Sequence, residues 1–181
     1  MAPAAQPAVR RVGMDEARER GETLAEALAD VLLDCVEGGA SVSFMLPLAR
    51  DKAAGFWRGV LDDVARGERV LLVAETPVGR IVGTVQLITA QPDNQPHRAD
   101  VAKMLVHSEA RRQGVAAQLM AAIDHAAREE GKTLLVLDTV TGGDAERLYQ
   151  RAGWQVAGVI PNYALMPDGA PCSTTYFYKQ L

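Results

Sequence analysis

Cysteine and histidine are scarce in this chain, at two and three residues. Cys35 and Cys172 lie far apart and match neither a disulfide framework nor a zinc-ligand spacing, so both are read as reduced thiols. His97, His107 and His125 show no metal-ligand spacing either. No metal site is expected, and the histidines are read as structural or surface residues, with His97 and His107 flanking a central strand from which either could touch a ligand. Positive charge is short as well. The net charge is -4 and no basic stripe extends beyond the pair Arg111-Arg112, which argues against a nucleic-acid partner and suits a cationic acceptor better. No apolar run approaches the roughly 18 residues of a membrane span, so no membrane partner is expected. The first eight residues, MAPAAQPA, have neither a basic n-region nor an apolar h-region. A secretory signal is therefore not expected, residues 1–8 are read as a frayed end, and the location is expected to be cytoplasmic. Internal repeats are absent. No Gly-x-Gly-x-x-Gly follows a strand, and Gly131-Lys132 lacks the upstream glycine of a P-loop, which argues against dinucleotide binding and nucleotide hydrolysis.

What remains is ordinary globular material: 181 residues, 48% hydrophobic and 23% charged, enough for one domain over 9–181 with a single good core. Val9 to Val12 reads as a first strand. Leu24, Ala25, Leu28, Val31, Leu32 and Cys35 recur at helical spacing within Glu16 to Val36, and Gly38-Gly39 ends that helix. The connector Gly38 to Pro47 is unusually apolar for a loop; Phe44 and Met45 in it either line a pocket or plug the core. A second helix is expected from Asp51 to Arg66, with Trp57 in the core. Arg69 to Glu75 and Arg80 to Ile88 form a hairpin about Thr76 to Gly79, and Thr89 to Arg98 closes a second hairpin onto Ala99 to Val106.

The stretch from Val101 to Asp138 organises the rest. An apolar strand ending at Val106 leads through Arg111, Arg112, Gln113 and Gly114 into a helix opening at Val115 and Ala116. The first N–H groups of a helix lack partners and the macrodipole adds positive charge, so this start suits a phosphate. Gly114 allows close backbone approach. Leu134 to Leu137 reads as a strand buried on both faces, which makes the unit a parallel crossover. A short helix from Asp144 to Ala152, a strand from Trp154 to Ile160, a loop over Pro161 to Asp168 and a last strand from Ser173 to Lys179 complete the chain.

This order, together with two spaced motifs, resembles the GCN5-related N-acetyltransferases. Their Gln/Arg-x-x-Gly-x-Gly/Ala signature is matched by Arg111, Gly114 and Ala116, and their Ala-x-x-x-Tyr-x-x-x-Gly-aromatic pattern by Ala145, Tyr149, Gly153 and Trp154. Glu37 to Val42, Leu137-Asp138-Thr139 and the Pro-Asp-Gly tail further resemble the tabtoxin-resistance type. The resemblance implies an α/β (α+β) fold, with a mixed, mostly antiparallel sheet of about seven strands and about four helices. It implies acetyl-CoA as co-substrate, held by Met104, Leu105 and Val106 on a splayed fourth strand and by Arg111 to Ala116. Gly142 stands where many members have Asn, and backbone at Gly142-Gly143 would replace that contact.

Acetyl transfer to an amine needs a base for the acceptor and a proton for the departing thiolate. Asp138, at the carboxyl end of its strand, is the leading base; its rival role is to bind the Thr139 to Gly143 backbone as a turn residue. Tyr149 sits where the family places a phenol near the sulfur, with simple packing as the alternative. Asp100 either selects a cationic amine or is a strand-edge residue, and Ser41, Phe44 and Tyr163 are placed on the acceptor side. The expected reaction is direct transfer to a small amino-acid-like or antibiotic-like amine, which leaves a role in antibiotic resistance open. A protein lysine or N-terminal acceptor, a non-catalytic acyl-CoA sensor and a homodimer are kept open.

Overall fold

A computed structural model describes residues 6–181. The expected frayed end lies largely outside these residues, and Ala8 already opens β1 (Ala8–Arg11). Then follow α1 (Met14–Glu37), α2 (Arg50–Arg66), β2 (Arg69–Glu75), β3 (Ile81–Ile88), β4 (Arg98–Val106), α3 (Val115–Glu129), β5 (Leu134–Val140), α4 (Asp144–Arg151), β6 (Gln155–Leu165) and β7 (Pro171–Gln180). The strands form one seven-stranded sheet in the order β1-β2-β3-β4-β5-β7-β6. Among the described residues only the β4–β5 pair is parallel. The expected mixed sheet with four helices is what the chain forms.

Alternation along the strands sorts the apolar side chains into two cores. Leu71, Val73 and Leu105 face α1 and α2, where Leu28, Leu32 and Trp57 fill the space. Val70, Leu72, Val85, Leu87, Leu135, Leu137 and Phe177 face α3, whose Leu119, Met120 and Ile123 form its buried stripe. Trp57 is fully buried, as its helical spacing predicts. Phe44 is buried in the first core, edge-on to Phe56 with ring centroids 5.3 Å apart, while Met45 is exposed. Of the two readings of the connector, Phe44 therefore plugs the core.

The expected loop over Pro161 to Asp168 needs correction, because β6 continues through it to Leu165 and only Met166 to Ala170 turns. Proline is tolerated there because β6 is the edge strand and its missing N–H leaves no ladder bond unmade. The register shifts between Ile160 and Ala164, and Asn162 at φ 52° takes up the irregularity.

Gly83, in the middle of β3, sets how closely α3 lies on the sheet. A Cβ at this position would meet Val115 Cγ1 at 3.1 Å, Leu119 Cδ1 at 3.2 Å and the Leu105 carbonyl oxygen at 3.2 Å. A lone glycine inside a strand pattern marks such a close approach. Gly83→Val should destabilise the protein by about 1–3 kcal/mol through overpacking against the first turn of α3. Urea unfolding measures this, and a midpoint unchanged from the parent would show that α3 is free to shift.

Candidate active site

β4 and β5 run side by side only briefly. Their register ends after Arg98–Leu134, Ala99–Leu135 and Asp100–Val136. Beyond that point β5 pairs with β7 alone and β4 with β3 alone, so the two strands diverge and open a cleft at their carboxyl ends. A bulge accompanies the divergence. β4 carries an extra residue between its pairs with Gln86 and Thr84, and Lys103 there adopts a left-handed φ of 50°. Met104 and Val106 pack toward the α3 core and Leu105 toward the α1–α2 core, which leaves the β5-facing edge of β4 open along one wall.

The segment after β4 is anchored by a residue that periodicity does not flag. Asp34, near the end of α1, accepts hydrogen bonds from the Ser108 amide at 2.7 Å and the Ser108 hydroxyl at 2.6 Å. Burial pushes the Asp34 carboxyl up, but these bonds with His107 and Arg111 outweigh it and hold it below the usual range. His107 caps the short 3-10 turn Ser108–Ala110, its Nδ1 accepting from the Glu109 amide at 3.3 Å. An acid in the last turn of a helix opposes the macrodipole, which is the only sequence sign of this role.

From this anchor the chain turns through Arg112 at φ 61° and Gly114 at φ 81° into α3. Among the described residues, no partner is present for the backbone N–H groups of Arg112 through Ala117; the first to be bonded is that of Gln118, to the Gly114 carbonyl. No acid occupies the first turn of α3, and nothing lies within 4 Å of a Cβ built at Gly114. Backbone donors thus converge on open space, as the phosphate reading requires. The side chains behave differently. Arg111 turns away, its Nε donating to the Val106 carbonyl at 3.1 Å and its other end lying 3.7 Å from Asp34. Gln113 folds back onto the Glu109 carbonyl at 2.8 Å. The expected convergence of two guanidinium groups is reduced to Arg112 alone, because Asp34 and the Val106 carbonyl compete for Arg111.

Across the cleft, Tyr149 is 6% exposed, its ring packed against Trp154 and Phe177. Burial and then Asp138 push its phenol up to about 12. Asp138 itself is solvent-accessible at the rim. The surrounding walls raise its carboxyl above the ordinary value, Lys103 opposes this and Asp100 adds to it. The rival turn-binding role goes to another residue, since the Gly142 N–H donates to Glu146 Oε2 at 2.8 Å. That bond also takes up the Gly142 donor that was expected to face the coenzyme.

The remaining acceptor-side residues divide. Asp100 is ion-paired with Arg98 at 2.6 Å and accepts from Gln91 at 3.0 Å, so its charge is already matched. Ser41 latches the connector to β6 by donating to the Leu165 carbonyl at 2.8 Å, and the Leu46 N–H bonds the Pro167 carbonyl at 3.0 Å. A cavity of about 280 Å³ lies between connector and hairpin, lined by Gly38, Leu46, Met166 and Asp168 among others. Tyr163 is exposed and its hydroxyl lies 2.7 Å from that of Tyr176, which pairs with Asp138 across β5 and β7.

A sheet opened between its one parallel pair, with an unpartnered helix start at the mouth, is the frame of an acyltransferase. A family model for an acetyltransferase (GNAT) domain matches residues 66–156, about half of the chain. The chain belongs to the GNAT acetyltransferases. It is 34% identical over 113 residues to the uncharacterised N-acetyltransferase of the hisH-hisA intergenic region of Azospirillum brasilense, covering 61% of this chain and 65% of that protein. The match thus spans just under two thirds of that relative. Solved structures share the fold: an N-acetyltransferase from Staphylococcus aureus Mu50, with TM-score 0.75, 17% identity and coverage of 97% and 99% of the two chains, is one. Another is yncA from Salmonella typhimurium, solved with its cofactor acetyl-CoA, with TM-score 0.75, 17% identity and coverage of 98% and 95%. Among the described residues no helix is long and apolar enough to cross a membrane.

The depressed Asp34 carboxyl gives a pH signature. Its contribution is full above the unfolded carboxylate value of about 3.9 and is lost as pH falls through the lower folded value. Asp34→Asn should therefore cost about 1 kcal/mol or more at neutral pH, and the cost should shrink in strong acid. Denaturant unfolding across the acid range tests this; a cost independent of pH would show that the charge plays no part.

Proposed function

We propose that the protein is an acetyl-CoA-dependent N-acetyltransferase acting on the primary amine of a small molecule. The observation that carries this reading is the β4–β5 cleft ending at the unpartnered start of α3. The N–H groups of Arg112 to Ala117, with the Arg112 side chain, hold the pyrophosphate, and Met104 to Val106 line the wall for the pantetheine arm. Acetyl-CoA supplies an acetyl group activated as a thioester. The residues of the chain do the rest by placement and by handling protons.

An acceptor amine with a pKa near ~10.4 arrives protonated at neutral pH and must lose a proton before its nitrogen bonds to the acetyl carbon. Asp138 takes that proton, directly or through water, and its raised carboxyl brings it closer to the working pH of a base. As the new C–N bond forms the C–S bond breaks and sulfur leaves as a thiolate, while the nitrogen gives up its second proton, through water, to that thiolate, leaving a neutral amide and a free thiol. Tyr149, at about 12, remains protonated throughout. Against a thiol of about 8.5 it is the weaker acid, so its part is to donate a hydrogen bond to the thiolate rather than to surrender the proton.

The bonds that tie the connector to the β6–β7 hairpin support a small acceptor over a protein one, because two loops held together leave less room for a peptide to pass between them. A second copy of the chain is proposed against β6. From Gln155 to Leu165 this edge strand carries no charge and exposes Val156, Val159, Ile160 and Leu165, whereas monomeric edges are guarded by charged side chains. The uncharged edge can face itself across a two-fold axis without repulsion. Sedimentation should give a dimer that Val159→Lys dissociates; a monomeric parent protein would refute it.

Mass spectrometry of an amine panel incubated with protein and acetyl-CoA should show a mono-acetylated product. Tight coenzyme binding with no product on any amine would favour a sensor. Asp138→Asn should lower kcat by about 10²-fold or more. Tyr149→Phe should lower it about 10- to 100-fold, the worth of one hydrogen bond to a charge. Both should leave coenzyme affinity intact, and an unchanged kcat in either would remove that residue from its role.

A further inference from the structure

Lys103 neither takes nor gives a proton in this scheme, although its charge draws the Asp138 carboxyl down, and the fold holds it at the cleft. It stands at the β4 bulge in a left-handed conformation that costs a non-glycine residue energy. Its Nζ donates to Ser43 Oγ at 3.2 Å and lies 5.5 Å from the centre of the Phe56 ring. Ser43, in the connector, is itself left-handed at φ 78°. Two strained residues from distant parts of the chain thus hold one ammonium group at the cleft, and strain of this kind persists where a site requires it.

Charge matching around the cleft shows what that ammonium lacks. Asp100 is matched by Arg98 and Arg69 by Asp63, at 2.6 Å and 2.9 Å. Among the described residues, Lys103 and Asp138 make no ion pair with each other or with any other residue within 4.0 Å, although each feels the other's charge. An ammonium carries three donors, and Lys103 uses one on a neutral hydroxyl. The walls hold it partly out of water, which disfavours its charge, with Arg69 acting the same way and Asp138 opposing. One unmatched cation and one unmatched anion therefore face the same opening.

We infer that Lys103 is a specificity-determining residue that binds a carboxylate of the acceptor while Asp138 receives its amine, so that the acceptor class is an amino acid. This rests on the acetyltransfer reading and narrows it. A ligand carrying both signs satisfies both walls at once, whereas a lysine side chain presented on a protein brings no carboxylate to Lys103. Ser43 and Phe56 act as positioning residues. The hydroxyl and the ring face fix the ammonium without neutralising it.

Two measurements separate this inference from the reading beneath it. The chain has four lysines, so the ε-carbon signals of isotopically labelled lysine are few, and Lys103→Arg identifies that of Lys103. The protein is titrated, with and without acetyl-CoA, with α- and ω-amino acids and with the carboxamide of each. At least one amino acid should shift the Lys103 signal and bind about tenfold or more tighter than its carboxamide. In turnover, Lys103→Gln should lower kcat/KM for that amino acid about tenfold or more beyond any change seen with its carboxamide, mainly through KM, with Lys103→Arg restoring part of the loss. Equal binding of acid and carboxamide, no shift of Lys103 by any carboxylate, or an equal loss on both substrates in Lys103→Gln would overturn the inference. Amino acids that shift Lys103 while no amine of any kind is acetylated would sustain carboxylate binding at Lys103 and instead sink the acetyltransfer reading. Acetylation confined to amines without a carboxylate would do the reverse.

Discussion

The parting of β4 from β5 after three register pairs is the constraint on which the site depends. A parallel pair that continued would bury its own N–H and C=O groups in a ladder and leave nothing for a ligand. Three features force the strands apart. The bulge at Lys103 bends β4 away, β7 claims the full length of β5, and Asp34 pins the turn after β4 to the end of α1. Gly83 then sets where the far side of the cleft mouth begins, because it lets the first turn of α3 approach the sheet.

Much of this is legible in the amino-acid sequence. Helical spacing in α1 to α3, the hairpins at Thr76 to Gly79 and Thr89 to Arg98, and the parallel crossover all follow from local pattern, and each element lies within a few residues of its expected bounds. The open helix start over Arg111 to Ala116 is legible for the same reason: its turn and its unpartnered N–H groups come from consecutive residues. Side-chain direction is not. Arg111 belongs to the phosphate motif by position, but its guanidinium answers to Asp34 and to the Val106 carbonyl, partners that lie 77 and 5 residues away. The Gly142 donor is likewise settled by Glu146, one turn into the next helix.

The extension of β6 escapes a local reading because proline, asparagine and glycine carry different meanings at an edge and in a centre. Pro161 would break an interior strand; on the outermost strand it costs no ladder bond. Nothing local tells which strand is outermost. That depends on the order β5-β7-β6, in which the last strand inserts between two earlier ones.

Backbone strain links the two halves of the site. Ser43, Lys103, Arg112 and Asn162 are the non-glycine residues with positive φ among those described. Arg112 lies in the turn before α3, Lys103 and Ser43 meet by a hydrogen bond, and Asn162 precedes the Tyr163 that bonds Tyr176 beside Asp138. Strain that is of no use to packing is tolerated where it orients groups toward a ligand. Glycine would relieve the strain at any of the four positions, but at Lys103 and Arg112 it would also delete the charge that the conformation presents. The sequence keeps the charged side chain and accepts the strained backbone, which is what the binding roles proposed for Lys103 and Arg112 ask of those positions.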